Sequence, residues 1–145
     1  MIGLLQRVSS ARVEVDGETV GAIDAGLMVL VGVEKTDDEA AAKRLLDKLL
    51  AYRVFSDAKG RMNLSLSATG GGLLLVPQFT LVAETSKGLR PGFDRGAPPE
   101  RAAELFEHLL TLAQAVHQPV ASGRFGADMQ VSLCNDGPVT FWLQQ

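Results

Sequence analysis

Hydrophobic and polar positions divide this chain into segments of different period. From Leu4 to Val15 β-branched residues alternate in part with polar ones, and Asp16-Gly17 gives a tight-turn signal ahead of Thr19 to Ile23. The pattern predicts an N-terminal hairpin. Gly26 to Val33 is unbroken in its apolar character and rich in valine and leucine, as suits a central strand buried on both faces. Thr36 and Glu39 then have capping-box spacing, and Ala42, Leu45, Leu46, Leu49 and Leu50 recur at helical intervals, predicting a first helix that runs to about Arg53.

The second half follows the same logic. Ser56 to Gly60 reads as a turn, and Thr69-Gly70-Gly71-Gly72 as a flexible connection into a strand from Leu73 to Val76. Strand character resumes over Gln78 to Val82, which would leave Thr80 as a hydroxyl in an apolar strand. The stretch Glu84 to Ala97 is long and irregular enough to suggest function. Pro98-Pro99-Glu100 opens a second helix whose apolar face would use Ala102, Leu105, Phe106, Leu109, Leu112, Ala113 and Val116, and Pro119 ends it. A strand from Met129 to Cys134, a turn at Asn135-Asp136-Gly137 and a last strand from Pro138 to Leu143 complete the order. Two helices and about seven strands without regular β-α alternation predict an α+β domain on a curved or barrel-like, mostly antiparallel sheet.

Composition narrows the class. At 145 residues and 46% hydrophobic, the chain has the size and apolar content of one domain spanning residues 1–145. Its apolar runs are too short to cross a bilayer, and with no signal-peptide pattern the expected location is cytoplasmic, with no membrane partner. One cysteine, Cys134, allows no internal disulfide and no Cys/His metal cluster. A net charge of −3 argues against coating long nucleic acids, but Lys87, Arg90 and Arg95 share one Gly/Pro-containing loop that could grip a small phosphate footprint.

Residue types alone do not disclose an enzyme. The two histidines, His108 and His117, fall on or at the end of the second helix and match no catalytic motif. Cys134 reads as a small hydrophobe in an apolar strand, and Asp37, Asp38 and Glu39 as a helix-start cluster serving the helix dipole instead of a metal. No metal and no cofactor are expected.

Two short motifs change the picture. Pro77-Gln78-Phe79-Thr80-Leu81 and Asn135-Asp136-Gly137-Pro138-Val139-Thr140 resemble the SQFTL and NxGPVT signatures of the D-aminoacyl-tRNA deacylase family. Gln6-Arg7-Val8 with Ala11, Val13 and Val15, then Gly88 to Phe93, then Gly123 to Met129, also look like the family and occur in the expected order. Together they span nearly the whole chain. One departure is Pro77, which stands where the family has serine and so lacks both that hydroxyl and a backbone N–H.

The resemblance implies the family's deacylase fold and a homodimer with active sites at the subunit interface. It implies cleavage of the ester between a D-amino acid and the 3′ acceptor end of tRNA, and clearance of glycine mischarged on tRNA(Ala). Gly137-Pro138 would be a cis dipeptide lent to the partner's pocket as a wedge against L side chains, although only about 5–6% of X–Pro bonds in folded proteins are cis. Arg7 is similar to the arginine that orients this element, and Gln78, Phe79 and Thr80 would form the catalytic strand. Phe125 and Met129, among glycines that permit close backbone approach, are candidates either for the adenosine pocket or for core packing. With no visible base for a Thr80 nucleophile, the 2′-hydroxyl of the terminal adenosine would assist hydrolysis, with the N–H groups of Phe79 and Thr80 facing the oxyanion. The competing readings are a noncatalytic module that holds a nucleic-acid 3′ end, and a deacylase of the same fold with a trans Gly-Pro that acts on L-alanyl-tRNA.

Overall fold

Covering residues 1–145, a computed structural model shows how the periods resolve into elements. Strands β1 (Ile2–Val15) and β2 (Glu18–Ile23) form the expected hairpin, with Asp16 at φ 52° and Gly17 at φ 81° in the turn. Strand β3 (Gly26–Gly32) pairs antiparallel with the first half of β1 and parallel with β6 (Gly72–Pro77), which in turn lies parallel to β7 (Val120–Ser122). The last strand, β8 (Gln130–Gln144), runs antiparallel to β1 from Glu14↔Gln130 to Ile2↔Gln144. The sheet is therefore mixed, with three antiparallel pairings, β1 to β2, β3 and β8, against two parallel ones, β3 to β6 and β6 to β7. Two crossovers return the chain to the same sheet end, and a parallel neighbour follows each.

The two central strands are apolar throughout because each face meets its own cluster. Leu27, Val29 and Val31 of β3 and Leu73 and Leu75 of β6 point to the helices, whereas Met28, Leu74 and Val76 join Val8, Val13 and Ile23 on the other face. Backbones approach closely at two glycines. A Cβ on Gly26 would overlap the Gly72 carbonyl, and one on Gly21 would overlap the Ser122 carbonyl. The second contact brings β2 against β7 and nearly closes the sheet into a barrel.

Helix α1 (Glu39–Ala51) buries Ala41, Ala42, Leu45, Leu46 and Leu49 against the sheet. Its N-cap is Asp38, whose carboxylate accepts from the Ala41 N–H at 2.8 Å, and not Thr36. The preceding Asp37 turns back to accept from the Glu34 N–H at 2.7 Å, so the helix begins two residues later than the capping-box spacing places it. Beyond α1 a small hairpin, β4 (Phe55–Ser56) and β5 (Met62–Leu64), precedes a one-turn helix, α2 (Leu66–Thr69), that the Gly-rich reading does not anticipate. Gly70 ends α2 in the left-handed conformation, at φ 67°.

Helix α3 (Pro99–Val116) buries Ala102, Leu105, Phe106, Leu109, Leu110 and Ala113. Leu110 replaces Val116 on the apolar face, and Val116, in the last turn, is 66% exposed. Cys134 is exposed on β8, correcting its reading as a core residue. No helix is long and apolar enough to cross a membrane.

Candidate active site

The sequence motifs occupy two separate places. In the first, β6 stops at Pro77 and the chain turns at Gln78 into a 3-10 turn (Phe79–Val82), not the continued strand that the apolar pattern predicts. Packing fixes the turn against β3, where a Cβ on Gly32 would stand 3.0 Å from Leu81 and 3.1 Å from Val82. The turn differs chemically from a strand. In a strand the N–H groups of Phe79 and Thr80 would enter a ladder, but the opening N–H groups of a helical turn have no partner within it, and no side chain caps this one. Gln78 Nε2 donates to Thr80 Oγ1 at 2.5 Å, and no histidine or carboxylate bonds that hydroxyl. Phe79 is 63% exposed and packs at a tilt of 50° against Phe93 of the long loop, with ring centroids 5.3 Å apart.

That loop is pinned at its base. Glu84 and Gly92 exchange both backbone hydrogen bonds, at 2.7 and 3.0 Å, and Arg95 NH2 reaches Glu34 Oε1 at 2.9 Å. Hydrogen bonds from the Ser86 hydroxyl and N–H hold the Glu84 carboxyl below its ordinary pKa, with burial acting weakly against them. Lys87 and Arg90 are exposed at the tip without ion pairs, whereas Arg95 is held by a carboxylate.

Of the proposed adenosine-pocket pair, Phe125 packs near Phe106 at 6.5 Å between centroids and lines a cavity of about 420 Å³ with Leu110, Val20 and Arg124. Met129 does not line that cavity. Its sulfur accepts from the Arg124 N–H at 3.3 Å and lies over Gly123, where a Cβ would come within 2.8 Å of it and 3.4 Å of Pro77 Cδ. The Pro77 ring is thus a packing surface between the 3-10 turn and the 123–129 loop.

The second place is a break in β8. Asn135 pairs with Val8 and Thr140 with Gln6, so Asp136, Gly137, Pro138 and Val139 stand opposite Arg7 alone and are thrust out of the ladder. The Gly137-Pro138 peptide is cis. Asn135 closes the excursion, its Oδ1 accepting from the Val139 N–H at 3.0 Å and its Nδ2 donating to Thr140 Oγ1 at 2.9 Å. Arg7 clamps it: Nε donates to the Asp136 carbonyl at 3.0 Å and NH1 to the Val54 carbonyl at 2.6 Å, with Asp136 Oδ2 3.3 Å from Nε. The guanidinium side chain is only 13% exposed and joins three segments at once. Asn135 was visible in the motif, but the Val54 carbonyl is a backbone group and has no sequence signal.

One subunit does not bring the two places together. Arg7 pairs with Leu27, which in turn pairs with Leu73, while Pro77 pairs with Val31 at the other end of the same strands. Strand rise and strand spacing put the excursion and the 3-10 turn on the order of 20 Å apart across the sheet. No three His, Cys, Asp or Glu side chains converge where a metal ion could sit.

Known proteins resemble this chain over nearly its whole length. The family model described as D-Tyr-tRNA(Tyr) deacylase matches residues 4–144. The D-aminoacyl-tRNA deacylase of Thioalkalivibrio sulfidiphilus is 64% identical over 144 residues, covering 99% of this chain and 97% of its own. The protein of the same name from Pseudomonas putida strain F1 is 67% identical, covering 99% of both chains. Among solved structures, the c-Myc DNA Unwinding Element Binding Protein superposes with a TM-score of 0.95 at 36% identity, covering 100% of this chain and 99% of its own. A probable eukaryotic D-amino acid tRNA deacylase shares the fold at a TM-score of 0.80 and 18% identity, covering 99% of this chain and 98% of its own. Fold, motifs and relatives together define an α+β hydrolase of the deacylase class. The chain belongs to the D-Tyr-tRNA(Tyr) deacylase family.

Proposed function

We propose that the protein hydrolyses the ester between a D-amino acid, or glycine, and the 3′ end of tRNA, as a homodimer in the cytoplasm. The observation that carries the activity is the family match over residues 4–144, with relatives of that name about two-thirds identical. The separation of the clamped dipeptide from the 3-10 turn supports the dimer, because a two-fold axis can set one subunit's Gly137-Pro138 against the other's Gln78, Phe79 and Thr80.

In this reading the dipeptide occupies the space into which an L side chain would project. A D side chain points away from it and glycine has nothing to exclude, so both are accepted. The ester is already activated. The N–H groups of Phe79 and Thr80 receive the developing oxyanion, and the 2′-hydroxyl of the terminal adenosine assists the attacking water. Water adds across the ester, and the free D-amino acid and the 3′-hydroxyl of tRNA leave. Phe125 and Met129 flank the adenosine, and Lys87 and Arg90, with Arg95 at the loop base, meet phosphates near the 3′ end.

Purified protein mixed with D-tyrosyl-, L-tyrosyl-, glycyl- and L-alanyl-tRNA is expected to discharge the first and third and spare the other two. A protein that shields the D ester from spontaneous hydrolysis is a binder, not an enzyme, and release of L-alanine from tRNA with the D ester untouched reverses the stereochemistry.

Thr80→Ala tests the chemistry. Since Gln78 alone engages the hydroxyl, the variant is expected to keep activity within about ten-fold of the parent, whereas loss of a nucleophile removes several orders of magnitude. Single-turnover rates on D-tyrosyl-tRNA decide between the two.

A further inference from the structure

The most basic stretch of this acidic protein is not the Gly/Pro-containing loop. Between Lys43 and Arg61 stand six cations, Lys43, Arg44, Lys48, Arg53, Lys59 and Arg61, against two carboxylates, Asp47 and Asp57, in a chain whose net charge is −3. The 84–95 loop holds only Lys87, Arg90 and Arg95 against Glu84 and Asp94. Lys43 is bound to Asp47 at 2.6 Å, but Arg44, Lys48, Arg53, Lys59 and Arg61 are exposed and have no ion-pair partner. Nor does Asp57 neutralise them. Its carboxylate accepts from the N–H groups of Lys59 and Arg61, at 2.8 and 3.0 Å, and from the Asn63 side chain at 2.8 Å. Those bonds hold its pKa below the ordinary value, the Arg61 N–H most of all, and brace the β4–β5 turn with Gly60 at φ 75°. The result is a stiff, cation-bearing tongue.

The tongue is tied to the Gly137-Pro138 excursion. Its root, Val54, is buried, and the Val54 carbonyl is the second acceptor of Arg7, whose Nε holds the Asp136 carbonyl. Arg7 thus joins the Gly137-Pro138 excursion to the segment that links α1 with the β4–β5 hairpin. In the dimer proposed above, the molecule that meets Gly137-Pro138 is the tRNA whose 3′ end lies in the other subunit's site.

We infer that the segment from Arg44 to Arg61, above all Arg53, Lys59 and Arg61, grips the phosphate backbone of the acceptor stem of the tRNA being cleaved in the partner subunit. This rests on the deacylase reading and extends it. The 3′ end would be read by one subunit, while the other supplies both the stereochemical wedge and the electrostatic hold on the stem. Such contacts carry no sequence information and are dispensable for a substrate without a stem.

The test compares the parent with Lys59→Ala/Arg61→Ala and with Arg53→Ala on two substrates, full-length D-tyrosyl-tRNA and the minimal ester D-tyrosyl-adenosine. Loss of two phosphate contacts is expected to raise KM for the tRNA about ten-fold and to make the log–log salt slope shallower by about 1.5, leaving kcat unchanged. Cleavage of the minimal ester and the thermal midpoint should not move. An unchanged KM and salt slope on the tRNA, or an equal loss on both substrates, overturns the inference. Filter retention of tRNA by parent and variants separates this outcome from failure of the functional reading. If the parent cleaves neither D ester, the deacylase reading falls, and weaker retention by the variants still decides the contact.

Discussion

Replacing Arg7 with alanine is expected to lower the ratio of D- to L-aminoacyl-tRNA hydrolysis by about a hundred-fold, since misplacing a positioning group by an ångström has effects of that size. Two carbonyls, of Asp136 and Val54, lose their donor together, and the four residues from Asp136 to Val139 keep only the Asn135 bonds at their base. A wedge that rejects by shape fails when it can yield. Arg7→Lys should fall between the two, because one ammonium reaches one carbonyl well but does not span both as the planar guanidinium does. Deacylation rates for the two enantiomers, measured beside the thermal midpoint, check this. A selectivity ratio within about three-fold of the parent, in a folded protein, removes Arg7 from the mechanism.

Gly26→Ala is the second large effect, and it concerns the fold alone. The new Cβ would overlap the Gly72 carbonyl and stand 2.6 Å from its nitrogen, and both are backbone atoms of a central parallel strand. Gly72 cannot retreat, because its own N–H donates to the Ala25 carbonyl at 3.0 Å. The expected loss exceeds about 3 kcal/mol, near the upper end for overpacking, and could abolish folding. Gly92→Ala serves as the comparison, since its Cβ would meet Glu84 at an ordinary 3.8 Å, and it is expected to shift stability by less than about 1 kcal/mol. Denaturant titration of both variants against the parent suffices. A Gly26 variant as stable as the Gly92 variant shows that the β3–β6 contact is looser than described.

What the sequence by itself determined is whatever a local period or an ordered set of motifs can carry. The β1–β2 hairpin, the doubly buried β3, the apolar faces of α1 and α3 and the family resemblance were legible because each depends on neighbours within a few residues or on residue identity alone. Tertiary structure decided the rest. The run from Gln78 to Val82 has the composition of a strand, yet it winds into a 3-10 turn because Pro77 ends β6 and Gly32 leaves the space that Leu81 and Val82 fill. Nothing local to Asp136-Gly137-Pro138 shows that Arg7 stands opposite it, or that the same guanidinium reaches the Val54 carbonyl. The candidate cations in the 84–97 loop could be named from sequence, but that Glu34, 61 residues away, holds Arg95 while Lys87 and Arg90 stay without ion pairs depends on folding distant segments together. Periodicity reports which face of an element is buried, whereas a site is made by long-range pairing that no window along the chain contains.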